Sequence, residues 1–243
     1  VKKTIDTKFN VYSETPEGGD PDRDSPTLRA YHKQLWSKPL PNGGFFQLDT
    51  NSSGAYLRYK SAHGDLILGS DAITNSFCRH KRLASLINQV PPAKVKELFD
   101  HGSTISAYTI FPSKQIGRKY SINQARGIHS KIGDRFDLTL ECIRRFYLSE
   151  ENPLNETLCR YSRFFELFGD FKGYVDFFLL NDLVADDYSS INFYLNFSDF
   201  DASPFPKDVQ QYLAYSSNTI DFINARSRRI ALSQQSENVS AAS

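Results

Sequence analysis

The hydrophobic period of this chain changes between Pro112 and Ser121, and that change limits the folds open to it. Before it, most of the strand-like segments are found, alternating apolar and polar residues between helical stretches; after it, apolar residues recur mainly every three or four positions, as on helices. Phe9 and Val11 alternate with polar neighbours, and "TPEGGDPDRDSPT" follows as a loop dense in Pro, Gly and Asp. Its acidic run fits a cation, but Asp and Pro at such positions also simply make turns. Ser25-Pro26 then reads as a helix start, a hydroxyl cap before a proline in the first turn, with Leu28, Tyr31, Leu35 and Trp36 inward. Asn42-Gly43 reads as a tight turn. The stretches "FFQLD", "AYLRYK" and "DLILGS", linked at 50–54 and 61–64, predict an antiparallel meander. "SFCRHKRLASLINQV" and "PPAKVKELFD" predict two helices, and "STISAYTIFP" a strand ended by Pro112.

From Ser121 to Val184 the pattern predicts three successive helices. The last, "FKGYVDFFLLNDLV", is apolar nearly all round and so belongs at the centre. "INFYLNF" alternates, and a final helix is expected from about Lys207 to Leu232. The expected fold is α+β: a strand-rich N-terminal half, an antiparallel meander, packed on a helical C-terminal half with a central buried helix. Residues 1–232 would form a single domain, and 233–243 a disordered polar tail. With 19 Phe and 13 Tyr, rings must fill much of the core.

A net charge of +1 argues against a dedicated nucleic-acid binder, while leaving a local basic patch open. Cys78, Cys142 and Cys159 lack zinc-site spacing, and an odd count suits thiols in a reducing cytoplasm. No apolar run approaches membrane-spanning length, so no membrane partner is expected. The chain contains no Met, as a trimmed or incompletely recorded sequence would.

Residues 122–147 concentrate the charge. Placed on a helix, Ala125, Ile128, Ile132, Phe136, Leu140, Ile143 and Tyr147 form an apolar stripe, while Asp134, Asp137, Glu141 and Arg145 share another face with Arg126 and Arg144 at its edge. Three carboxylates within two turns are the oxygen ligands that Mg²⁺ or Mn²⁺ requires. In that arrangement His129 would move a proton and Arg126 or Arg144 would stabilise phosphate charge. The competing account is a buried ion-pair network, with Asp176 and Asp182 paired to Arg126, Arg135 or Arg144. There is no phosphate-binding glycine loop, nucleophile elbow, H-E-x-x-H or paired C-x-x-C. Gly69-Ser70-Asp71 follows a strand, where it would cap a helix or line a pocket.

Three stretches, "DSPTLRAYHKQLWSKPLPNG", "SINQARGIHSKIGDRFDLTLECIRRFY" and "FKGYVDFFLLNDLV", together resemble a family of uncharacterised bacterial proteins, a domain of unknown function. The resemblance spans most of residues 5–200 and implies a bacterial, cytoplasmic, single-domain protein. It carries over no activity and no catalytic residue. Two function classes therefore stay open. One is a binding protein for a ligand or protein partner, with Arg29, His32, Trp36 and Lys38 offering an aromatic, cationic surface for nucleotide or nucleic acid. The other is a metal-dependent phosphoester hydrolase using Asp134, Asp137 and Glu141.

Overall fold

The computed structural model describes residues 4–51, 56–61, 64–73, 75–78 and 80–240. Its first helices, α1 (Pro21–Asp24) and α2 (Pro26–Trp36), both start at a polar cap followed by proline. Asp20 accepts from Asp22 N at the head of α1, and Ser25 Oγ accepts from Leu28 N at the head of α2. Leu28, Tyr31, Leu35 and Trp36 are buried, as their spacing predicts.

The meander forms in the expected order. Strands β1 (Leu48–Asp49), β2 (Leu57–Ser61), β3 (Gly64–Ala72) and β4 (Tyr108–Pro112) make one antiparallel sheet, each strand paired with the next. The link predicted at 50–54 lies mostly, and that at 61–64 partly, outside the described residues. In β2, Leu57 and Tyr59 turn inward while Lys60 faces solvent; β4 is buried throughout, consistent with its β-branched and aromatic run. The helix predicted from Ser76 to Val90 is interrupted: two 3-10 turns precede α3 (Ala84–Ile87). The proline-initiated α4 (Pro92–Gly102) follows as expected.

After Ser121 five shorter helices replace the predicted three: α5 (Ile122–Ile128), α6 (Phe136–Tyr147), α7 (Asn155–Arg160), α8 (Ser162–Glu166) and α9 (Phe171–Phe177). The break between α5 and α6 has a local cause. Gly133 and Asp134 adopt φ of 55° and 64°, left-handed conformations that stop a helix. A Cβ on Gly133 would also meet the Phe205 ring at 2.7 Å. "INFYLNF" forms no strand beyond an isolated Val184–Ile191 bridge. Side chains satisfy its backbone instead: Tyr194 N donates to Asp137 Oδ2, and Asn218 donates to Tyr194 O, both at 2.9 Å.

The last helix, α10 (Val209–Ser240), continues past Leu232, where the apolar pattern stops. It packs on α4, on the 3-10 turn Ile105–Ala107 and on the turn Asn181–Leu183, and so touches both halves of the chain. Aromatic rings fill the centre as composition requires. Phe168 alone lies within 5.4 Å of the ring centres of Phe164, Tyr174, Phe177 and Phe178. Of α9, Phe171, Tyr174, Val175 and Phe177 are buried, while Lys172 and Asp176 pair on its outer side. Among the described residues no helix is long and apolar enough to cross a membrane.

Candidate functional site

The charges of residues 122–147 are distributed over separate arginines. Arg126, fully buried near the end of α5, reaches Asp71 Oδ2 and Asp134 Oδ1 at 2.8 Å each, Asp134 O at 2.8 Å and Thr139 Oγ1 at 3.0 Å. Arg135 clamps the fully buried Asp137 through both oxygens and donates to Pro204 O. Glu141 accepts from Arg144 and Arg145 one turn ahead of it. Asp134, Asp137 and Glu141 thus face three different guanidinium sets. Among the described residues no group of three His, Cys, Asp or Glu side chains is placed to hold a metal ion. His129 ends α5 and lines another cavity, with Lys131, Arg145 and Asp199. The ion-pair network exists, but with other partners than expected. Asp176 bonds Lys172, Tyr188 and Asn181, and Asp182 pairs with Arg229 of α10.

Of the four residues expected to form a binding surface, His32, Trp36 and Lys38 stay in contact, but the two rings offer no exposed face. Trp36 and His32 are fully buried. Lys38 donates to Phe177 O at 2.6 Å and lies over the Trp36 and Phe177 rings. Arg29 reaches a groove on the outer side of α2.

On the other side of α1 the structure assembles something denser. A cavity of about 580 Å³ lies between the segment Gly18–Asp22, the end of β3 and the start of α5. Asp20, Asp22 and Asp71 line it, together with Tyr12, Tyr108, His80 and Asn123. Beneath it runs a chain of hydrogen bonds. Trp36 Nε1 donates to His32 Nδ1 at 3.1 Å, and His32 Nε2 lies 3.0 Å from Ser70 Oγ. An indole can only donate, so Nδ1 is the acceptor and the imidazole proton sits on Nε2, facing Ser70. The Ser70 hydroxyl also faces the Asp22 carboxyl and favours its ionised form. Burial, reinforced by the nearby Arg226, pushes His32 down to about 3, so the ring stays neutral.

The carboxyls move the other way. Burial is the main cause that lifts Asp22 from 3.8 to about 6; the Asp20 charge adds to it and the Ser70 hydroxyl opposes it. Burial also lifts Asp71, to about 7, against the pull of Arg126 and with help from Asp134 and Asp22. Asn123, in its hydrogen-bonded orientation, donates to both Asp71 oxygens, at 2.9 and 3.2 Å. Two carboxyls whose proton affinity burial raises therefore border one cavity, the arrangement from which acid, base and cation sites are made.

The sequence marked this place weakly. Gly69-Ser70-Asp71 is the visible signal: two polar residues closing an apolar strand, both buried in the fold. Asp20 and Asp22 sit among turn-forming residues and carry no mark of burial. The chain was also compared with known proteins. A family model described as a family of unknown function, DUF6994, matches residues 5–230. Neither the curated proteins nor the solved structures gave a match.

Proposed function

The chain belongs to DUF6994, a family of unknown function, and we propose that it is a binding protein for a small organic cation, held in the cavity over Asp22 and Asp71. One observation carries this reading: among the described residues the lining has three carboxylates, Asp20, Asp22 and Asp71, and neither lysine nor arginine. Arg126 is shared between Asp71 and Asp134, while the Asp22 carboxyl faces the Ser70 hydroxyl. Tyr12 and Tyr108 supply aromatic surface, which attracts ammonium groups. The volume lies within the range of small-molecule sites.

The metal-dependent phosphoester hydrolase, with Mg²⁺ or Mn²⁺ on Asp134, Asp137 and Glu141, has no observation in its favour, because arginines already hold each carboxylate. No disulfide joins Cys78, Cys142 and Cys159 in the fold, which supports a reducing, cytoplasmic setting.

The test is thermal unfolding with putrescine and with tetramethylammonium, each against sodium chloride at equal ionic strength, on the wild type and Asp22→Asn. A ligand that binds only the native state raises the melting temperature by mass action. The expected result is a rise with either ammonium that Asp22→Asn abolishes. If neither ammonium exceeds sodium chloride, the reading is wrong. Cation binding must also displace the carboxyl protons, so affinity should climb between pH 5 and pH 8. An affinity independent of pH would place the cation elsewhere.

A further inference from the structure

Arg126, Arg135 and Arg226 are all buried, and the first two hold carboxylates: Arg126 shares Asp71 and Asp134, and Arg135 clamps Asp137. Arg226, on α10, differs. Its terminal nitrogens donate to three backbone carbonyls, Ser106 O, Tyr108 O and Phe178 O, at 2.8–2.9 Å. Its guanidinium carbon lies 5.7 Å from the Trp36 ring centre. Among the described residues no carboxylate acts on it. Carbonyl dipoles and a ring face solvate a cation without cancelling its charge, and a charge this deep calls for a counter-charge.

Donors around Arg226 are unused as well. Its Nε–H meets no acceptor among the described residues, and the hydroxyls of Tyr174 and Tyr194, both buried, have no hydrogen-bond partner there either. Tyr174 packs on Phe178, whose carbonyl Arg226 binds, with ring centres 4.9 Å apart. Tyr194 packs on Phe222, one turn before Arg226 on α10, at 6.2 Å. The two phenols are also the ionisable groups felt at Arg226, as Arg226 is felt at each of them. Orphaned N–H and O–H donors beside an uncompensated guanidinium call for one acceptor that is also negative. A water molecule would take the hydrogen bonds and leave the charge uncancelled. We infer that the core binds a small monatomic anion of the chloride class at Arg226 Nε, with the Tyr174 and Tyr194 hydroxyls as its further donors. It would be a structural ion, separate from the organic-cation cavity.

Thermal unfolding in sodium chloride and in sodium gluconate of equal concentration tests this, on the wild type and on Tyr194→Phe. In gluconate the two should melt alike, because the variant removes a buried hydroxyl that has no protein partner. In chloride the wild type should melt higher than in gluconate, since an ion bound only to the native state stabilises it by mass action. Tyr194→Phe should need about tenfold more chloride for the same rise, having lost one hydrogen bond to the ion. Asp22→Asn should keep the full chloride response, which separates this site from the acidic cavity. Crystals grown in sodium bromide should show the ion beside Arg226 Nε by its anomalous scattering. The inference fails if the wild type and Tyr194→Phe differ equally in both salts, or if no bromide lies beside Arg226. A water molecule at that position would give both of those results.

Discussion

Asp22 turns burial into a dependence of stability on pH. Its folded carboxyl holds a proton up to about 6 against an ordinary 3.8, so the folded state binds protons more tightly than the unfolded chain. Stability from this group is fully present below 3.8 and is lost as pH rises through 6. Ionised Asp22 should cost the fold up to about 3 kcal/mol, at 1.36 kcal/mol per pH unit. Asp71, lifted to about 7, acts in the same direction. Denaturation at pH 5 and pH 8 should therefore show the wild type less stable at pH 8, and Asp22→Asn should flatten the difference; an equal slope in the variant would contradict this account. Ser70→Ala should destabilise by about 1–3 kcal/mol, because it strands both His32 Nε2–H and the Asp22 carboxyl. Denaturant melts of that variant would measure it. The sequence told little at this scale. A half-buried aspartate and a turn-forming one are the same letter, and only the fold carries Asp22 to Ser70.

Among the elements, the seam between α5 and α6 matters most. Helical spacing from Ala125 to Tyr147 is nearly continuous, yet the chain bends at Gly133 and Asp134. The stripe survives the bend in part: Ala125, Ile132, Phe136, Leu140 and Ile143 are buried, while Ile128 is 58% exposed. Periodicity records which residues face the core, and a reversal that preserves those faces leaves it almost intact. The two glycines in the segment were the available hint. The bend is what lets Arg126 fold back onto Asp134 and Thr139. Gly133→Ala should cost about 2–4 kcal/mol, from a left-handed φ and a Cβ driven into Phe205 and Pro204. Its melting temperature is the measurement, and a near-neutral result would mean that the Phe205 loop yields.

Over the whole molecule, α10 ties the halves together. Fully buried Arg226 donates to Ser106 O and Tyr108 O at the entry to β4, and to Phe178 O after α9. Its partners here are carbonyls, and burial pulls the guanidinium down to about 10. Arg226→Met would leave three carbonyls without their donor and should lower stability by about 3 kcal/mol. Near the far end of α10, Gln234 accepts from Ile5 N at 2.7 Å, joining the two ends of the described chain. Calorimetry should accordingly give one cooperative transition over residues 5–230, and two resolved transitions would separate the halves. The α+β class and the meander were readable because alternation and turn chemistry are local. The course of α10 across both halves was not, since nothing local specifies which surface a long amphipathic helix covers.

Trp36 is the chain's single tryptophan, and its indole N–H heads a hydrogen-bonded line through His32 to Ser70, whose hydroxyl faces Asp22. The protein therefore contains its own optical gauge. Whatever changes the proton or the occupant at Asp22 reaches the indole through two intervening side chains, and its ultraviolet emission can follow the cavity's state without any attached dye.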